Sequence, residues 1–261
     1  MPAYQAVVFD FFGTLTRSVR RGPQHADIAR ALGCDPDTVL SVLDRTFQVR
    51  ARGHFGSAEA TLRWVSEQAG GRPRTAQLQA AVPARVAALK ADTRLRTDAE
   101  TVLRAVKQRG LRTALISDCT HELPAFLPSL PIAPLLDATV FSVEVGRCKP
   151  DPLIYLEACR RLQVAPEDCL YIGDGGSQEL TGAAAVGMTP VRLAAADLAD
   201  HLVFNADVNF TGPSVPSLTA VLDLLDRVPM LTYMHAGCIN STSRPSPGPM
   251  RGWPGDDRAR G

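Results

Sequence analysis

The chain has 261 residues, a formal net charge of +1, and 45% hydrophobic against 21% charged residues. That length suits one large domain or a core with an insert, and the near-zero charge gives no electrostatic ground for binding nucleic acid or anionic membrane. No apolar run approaches the roughly 18 residues that a transmembrane helix needs. The opening MPAYQAVVFDFFGTL lacks a basic segment followed by a long apolar stretch and a small-residue cleavage site. No secretory leader is therefore expected, and the cytoplasm is the expected compartment. Within that opening, QAVVF (5–9) is a short apolar run that predicts a buried strand delivering Asp10 at its C-terminal end.

After the glycine-containing turn FFGTLT, residues 17–93 change to helical periodicity. Helices are predicted near 24–32, 36–51, 57–69 and 75–91, separated by Gly33, Gly53, the Gly70-Gly71 pair and Pro73. Pro83 predicts a kink or break in the last of them. From Asp98 onward helices and strands alternate. The helix AETVLRAVKQRG precedes the strand LRTALIS, the strand ATVFSVE precedes the helix DPLIYLEACRRL, and CLYIGD precedes the helix QELTGAAAVG. Two further strands, TPVRL and ADVNF, and a closing helix, SVPSLTAVLDLLD, complete the pattern. Strands separated by helices of this length predict a Rossmann-like α/β core, a parallel sheet wound with helices on both faces. The core spans 1–16 and 94–228, and 17–93 forms an inserted all-helical unit. Residues 229–261 are rich in Pro, Gly, Ser and Arg, and predict a disordered tail.

Six cysteines (Cys34, Cys119, Cys148, Cys159, Cys169, Cys238) show neither CxxC nor zinc-ligand spacing and read as free thiols. Arginine outnumbers lysine 25 to 3, so each lysine is easy to notice.

In a wound α/β sheet, ligands bind outside the carboxyl ends of the strands. Polar signals stand at four such ends: Asp10, Ser117-Asp118, Lys149 and Asp174. An Asp after an apolar strand is often a turn residue, and a Lys before Pro is usually a loop charge. Their joint occurrence, in order and at one face of one sheet, has no simple structural account.

The segments DFFGTLT (10–16), ISD (116–118), CKPDP (148–152) and GDGGSQELTGAAAVGM (173–188) resemble the four motifs of the haloacid dehalogenase-like (HAD) hydrolase superfamily. The resemblance covers about 5–17 and 94–226, and the helical insert is similar to the family's C1-type cap. It implies that Asp10 is the nucleophile, forming a covalent acyl intermediate that divides one difficult hydrolysis into two steps. Ser117 would donate to a transferring phosphoryl oxygen, Lys149 would balance charge, and Gly13, Thr14 and Asp118 would meet the substrate. Mg2+ would be held by Asp10, the backbone carbonyl of Phe12 and Asp174, with Glu179 supporting the metal through water or orienting Lys149. The implied substrate is a small phosphorylated metabolite. The sequence leaves the oligomeric state open.

One position departs from the family pattern. Phosphatases of this family carry a second aspartate two residues after the nucleophile, and here that position is Phe12. Phenylalanine supplies a carbonyl but cannot transfer a proton, and general acid–base help is worth about 10²–10⁴-fold. Three readings follow. A phosphatase would recruit another group, with Asp118, His121, Glu144 and His54 as candidates. A metal-independent 2-haloacid dehalogenase, whose branch has an aromatic residue there, would use Arg50 and Arg52 with Phe47 and Phe55 for the carboxylate or halide. A non-catalytic module would bind a phosphorylated ligand or a partner without turnover. The phosphatase is the expected function, because GDGG retains Asp174 at the metal position. A Schiff-base mechanism is disfavoured, since Lys90 is the one lysine in 17–93. Trp64 and Tyr155 read as packing residues, and Cys119 and Cys148 have no nucleophilic role to fill.

Overall fold

The structure is a computed structural model that describes residues 4–198 and 204–226. Its strands are β1 (Ala6–Phe9), β2 (Arg112–Ser117), β3 (Ala138–Phe141), β4 (Cys169–Gly173), β5 (Thr189–Leu193) and β6 (Ser214–Val215). They form one sheet in the order β3-β2-β1-β4-β5-β6, and every neighbouring pair is parallel. This is the wound α/β architecture that the alternating pattern predicts.

Five helices lie between β1 and β2: α1 (Gln24–Ala31), α2 (Pro36–Arg45), α3 (Phe47–Ala51), α4 (Ala58–Gln68) and α5 (Thr75–Asp92). Those that follow are α6 (Ala99–Gln108), α7 (Glu122–Phe126), α8 (Ser142–Val145), α9 (Pro152–Leu162), α10 (Glu179–Ala185) and α11 (Thr219–Asp226). The two-residue period of a strand divides β1 between two cores. Val7 and Phe9 join Val102, Leu103 and Val106 of α6 and Val221 of α11. Ala6 and Val8 join Ile154 and Ala158 of α9 with Leu180 and Ala183 of α10. Because helices cover both faces, all four residues of AVVF are buried, and the run has no polar alternation.

The insert has a third core of its own, which includes Leu32, Val39, Val42, Leu43, Leu62, Val65 and Leu78. Its helices begin where the sequence offers caps: Asp35 accepts from the Thr38 amide at 2.8 Å, and Ser57 accepts from the Ala60 amide at 3.1 Å. The chain leaves and returns to the core along adjacent segments. Thr16 bridges Leu95 in antiparallel fashion, and the Arg17 amide donates to the Arg94 carbonyl at 2.8 Å.

Several expectations need correction. The helix expected over 36–51 is divided at Thr46, whose φ of −112° leaves the helical region while its hydroxyl bonds back to the Val42 carbonyl at 2.5 Å. Helix α5 runs through Pro83 without a break, with Leu78 and Ala81 buried before it and Ala88 after it. The strand expected over ATVFSVE ends at Phe141, where Ser142 turns inward to accept from the Cys119 amide at 2.9 Å. ADVNF is no strand, because Asp207 is drawn away to the backbone near α10. The sixth strand is Ser214–Val215, and the closing helix starts only at Thr219. Five cysteines are free, as expected; Cys238 and the tail 229–261 lie outside the described residues. Among the described residues no helix is long and apolar enough to cross a membrane.

Candidate active site

Strand β1 hands the chain directly to Asp10, whose amide still donates to the Ile172 carbonyl of β4 at 2.9 Å. The backbone then turns through Gly13 at φ +79°, a conformation that only glycine adopts without cost. Thr16 Oγ1 accepts from the Gly13 amide at 3.1 Å. Arg96 fixes the turn from behind, donating to the Gly13 carbonyl at 2.8 Å and the Thr14 carbonyl at 2.9 Å, and pairing with Asp197 at 2.7 Å. Two hydroxyls of this region, Thr14 Oγ1 and Ser117 Oγ, are buried without a hydrogen-bond partner. Unpaired buried hydroxyls are costly unless a ligand satisfies them.

Lys149 joins the strand ends. Its ammonium donates to Asp10 Oδ1 at 2.6 Å and to Glu179 Oε2 at 2.5 Å, and its amide donates to Asp118 Oδ1 at 3.0 Å. Glu179 is engaged on both oxygens, since Oε2 also accepts from the Tyr171 hydroxyl at 2.8 Å and Oε1 from the Gly175 amide at 2.9 Å. A Cβ at Gly173 would collide with this carboxylate, so glycine is what lets Glu179 lie against β4. Tyr155 is buried as expected, and its hydroxyl also donates to the Glu179 carbonyl at 3.0 Å.

Asp10, Asp174 and Glu179 each bring a carboxylate oxygen within 4.8 Å of the other two. Burial, followed by repulsion from Glu179, raises Asp10 to about 7. Burial and then Asp10 raise Asp174 to about 6, and burial with Asp174 holds Glu179 at about 7 against the pull of Lys149. Burial alone would lower Lys149, yet Asp10 and Glu179 hold its ammonium well above the usual range. A single cation thus faces three carboxylates. Hard oxygen donors in excess over positive charge suit a divalent cation such as Mg2+.

This crowding makes a prediction about stability. The folded pKa of Asp174, about 6, lies above its ordinary 3.8, so the folded state holds more protons between those values. Stability from this group is full below that window and is lost as pH rises through it. Asp174→Asn removes the loss. In chelator-treated protein at pH 8, its Tm is expected to exceed wild type by at least about 2 °C, the shift that roughly 1 kcal/mol produces in a domain of this size. Calorimetry checks this, and an unchanged or lower Tm counts against carboxylate crowding.

The loop that carries Asp174 has a second support. Asp207 accepts from the Thr181 amide at 2.7 Å and the Thr181 hydroxyl at 2.8 Å, and its own amide donates to the Gly175 carbonyl at 2.7 Å. Asp207→Ala is expected to cost about 1–2 kcal/mol, measured by urea unfolding, because it removes two part-buried hydrogen bonds to a charged acceptor.

These groups form the floor of a cleft of about 160 Å³, which extends between the sheet and the helical insert. Phe12 lies on its wall, half-buried, with its ring edge-on to Phe11 at 4.9 Å. Asp118 and Cys119 also face it, while Arg50 and Phe47 reach it from the insert. Burial raises Asp118, whose Oδ2 has no partner. His121 lines an adjoining cavity instead, with its Nε2 buried and unpartnered. Arg52, His54, Phe55 and Glu144 are not on the cleft wall. The Phe55 ring stacks on Trp64 at 4.5 Å within the insert, the packing role expected of Trp64. Burial pushes Cys119 well above a normal thiol and Cys148 up to about 12, so neither is a ready nucleophile.

Sequence reasoning missed Tyr171, Arg96, Asp207, and the insert residues Arg21, His25 and Arg85. Only Tyr171 carried a usable signal, a phenol inside an otherwise apolar buried strand.

A family model described as haloacid dehalogenase-like hydrolase matches residues 4–187, well over half of the chain. Over 129 residues the chain is 33% identical to haloacid dehalogenase-like hydrolase domain-containing protein 3 of Mus musculus, covering 49% of this chain and 51% of that protein. It is 46% identical over 54 residues to glyceraldehyde 3-phosphate phosphatase of Methanopyrus kandleri, 21% of this chain and 23% of the relative. The chain thus spans at most about half the length of these curated relatives. A solved 2-haloacid dehalogenase from Pseudomonas syringae pv. Tomato DC3000 superposes with a TM-score of 0.62 at 18% identity, covering 86% of this chain and 99% of that one. At that identity the similarity is one of fold.

Proposed function

The chain belongs to the haloacid dehalogenase-like hydrolase family, and from that premise we propose that it hydrolyses the phosphomonoester of a small metabolite through an aspartyl-phosphate on Asp10. The observation that carries this reading is the buried cluster in which Lys149 bridges Asp10 and Glu179 while Asp10, Asp174 and Glu179 converge within 4.8 Å. Such a cluster provides a nucleophile, a fixed cation, and a seat for Mg2+.

Asp10 Oδ attacks phosphorus, and the bond to the leaving oxygen breaks as the Asp10–phosphorus bond forms. The unpartnered hydroxyls of Ser117 and Thr14 donate to the phosphoryl oxygens. Lys149 offsets the charge of Asp10 and of the incoming anion, and Glu179, with both oxygens occupied, holds Lys149 in place. Water then attacks the phosphorus, the bond to Asp10 breaks, and phosphate leaves as the carboxylate is regenerated; the proton that this water gives up balances the one taken up by the leaving oxygen. Asp10, Asp174 and the Phe12 carbonyl are the groups that would hold Mg2+. When bound, it would offset the repulsion between the carboxylates and the substrate and polarise the phosphoryl oxygens. Residues 17–93 act as the cap over a core of 1–16 and 94–228, turning on hinges near 16–20 and 91–97 and excluding water when closed.

A second reading is favoured by Phe12. Carbon–halogen hydrolysis would use the same Asp10 attack, with no leaving oxygen that needs a proton. The two are separated by one assay: phosphate release from a panel of small phosphoesters with and without Mg2+, beside chloride release from 2-chloropropionate. Metal-dependent phosphate release that disappears in Asp10→Asn supports the phosphatase. Chloride release alone replaces it with the dehalogenase.

A further inference from the structure

The roof of the cleft contains a charge that the hydrolytic chemistry does not use. Arg50 of α3 is only 5% exposed, yet it lines both the main cleft and the adjoining cavity. Its Nε donates to Thr46 Oγ1 at 3.2 Å and its Nη2 to the Leu43 carbonyl at 2.5 Å. These neutral acceptors fix the plane of the guanidinium without cancelling its charge. The other cations at this end are paired: Arg21 holds Asp44 through both terminal nitrogens, and Arg85 holds Glu122 at 2.8 Å. His25 lies 2.7 Å from Asp92, and burial lowers its pKa, which favours the neutral ring. Arg50 has no carboxylate partner among the described residues. Burial, then the proximity of Arg85, depress its pKa to about 10, against the opposing pull of Glu122 and Asp44, which are already paired with Arg85 and Arg21.

Resting on the phosphatase reading, we propose that Arg50 is the specificity-determining residue for a carboxylate at the far end of the substrate. The phosphoryl group would sit on the floor against Asp10, and the carboxylate would meet Arg50 at the roof. The cleft also offers apolar surface alongside the polar groups of Asp118 and Thr120. Phe12, Leu43 and Leu89 line it, together with Phe47, stacked on Phe204 at a centroid distance of 4.4 Å. A short aliphatic spacer suits that apolar surface. One guanidinium with no carboxylate in contact suits a single negative charge, and its planar fork matches the two oxygens of a carboxylate. A buried cation left unpaired is costly, so an isostere without the carboxylate is rejected in proportion.

The test compares matched pairs: phosphoglycolate with ethyl phosphate, 3-phosphonooxypropanoate with propyl phosphate, and 4-phosphonooxybutanoate with butyl phosphate. Propane-1,3-diyl bisphosphate serves as the dianionic alternative. In wild type, at least one carboxylate probe is expected to exceed its partner and the bisphosphate in kcat/KM by tenfold or more, mainly through KM. Arg50→Met is expected to bring that ratio to within about threefold of one, and Arg50→Lys, which keeps the charge but loses the fork, to leave it intermediate. A wild-type ratio near one for every pair, preference for the bisphosphate, or a ratio that survives Arg50→Met overturns the proposal. If Arg50→Met does not fold, the Arg50→Lys and wild-type comparisons decide. Calorimetric binding of 3-phosphonopropanoate against propylphosphonate, to wild type and variant, reads the same preference without turnover. Preferential binding without phosphate release would overturn the phosphatase reading alone, whereas phosphate release without preference would overturn only the role of Arg50.

Discussion

Asp10→Asn is expected to remove phosphate release by at least about 10⁴-fold, the scale on which a covalent nucleophile acts, and to leave the protein folded. The side chains are nearly isosteric, so the buried cavity is neither enlarged nor overfilled. A carboxamide oxygen does not form the acyl-phosphate, and the mechanism has no other route. Lys149 loses the charge opposite it at Asp10 but keeps Glu179 at 2.5 Å, so its own charge does not become stranded. One of three crowded carboxylates becomes neutral, and the group removed is held near 7 by burial and by Glu179. Its folded pKa is raised, so wild type loses stability from this group as pH climbs from 3.8 through about 7, and the variant is spared that loss. The expected result at pH 8 without metal is therefore an inactive protein at least as stable as wild type. Phosphate release and thermal unfolding measured on one preparation check both halves. Activity within tenfold of wild type would reject Asp10 as the nucleophile, and loss of folding would reject the account of its surroundings.

Phe12→Asp is expected to raise turnover of alkyl phosphates by up to about 10²-fold in the presence of Mg2+, the lower end of what a positioned acid–base supplies. The side chain already faces the cleft from the residue position two beyond the nucleophile. The substitution gives up its edge-on contact with Phe11 at 4.9 Å and adds a further carboxylate to an acidic floor, so the gain depends on the cation. Leaving groups provide the discriminating measurement. A new general acid accelerates release of a poor leaving alcohol far more than that of a nitrophenolate. A uniform change across leaving groups would show that the variant altered binding or charge and not proton transfer. No change at all would mean that another group, with Asp118 the leading candidate on the cleft wall, already moves the proton.

The strand ends were legible because a buried parallel strand is an uninterrupted apolar run, and a polar residue at its end is conspicuous. Asp10, Ser117 and Asp174 follow such runs, and TPVRL falls on β5 residue for residue. ADVNF has the same alternation but is a loop, because Asp207 gains two hydrogen bonds at α10 and one at Gly175 that no local pattern announces. The roof of the cleft was unreadable for a different reason. Helical periodicity says which residues share a face of α3 or α5, and not which face meets the sheet across a turn of the chain. Arg50 and Arg52 were therefore equal candidates for an anion until packing put Arg50, and not Arg52, on the cleft. Glu179 reads equally well as a helix-start residue favoured by the dipole or as a member of the site. Its contact with Lys149 favours the second.

The adjacent crossings between core and insert also bear on ancestry. Residues 17 and 94 are hydrogen-bonded neighbours at 2.8 Å, so the intervening helices form a closed excursion whose removal would leave the sheet's order and register intact. Such an excursion can be lengthened, rebuilt or exchanged between lineages while the strand ends stay fixed. Selection can then revise what the protein accepts separately from how it reacts, and the floor and roof of one cleft can have different evolutionary histories.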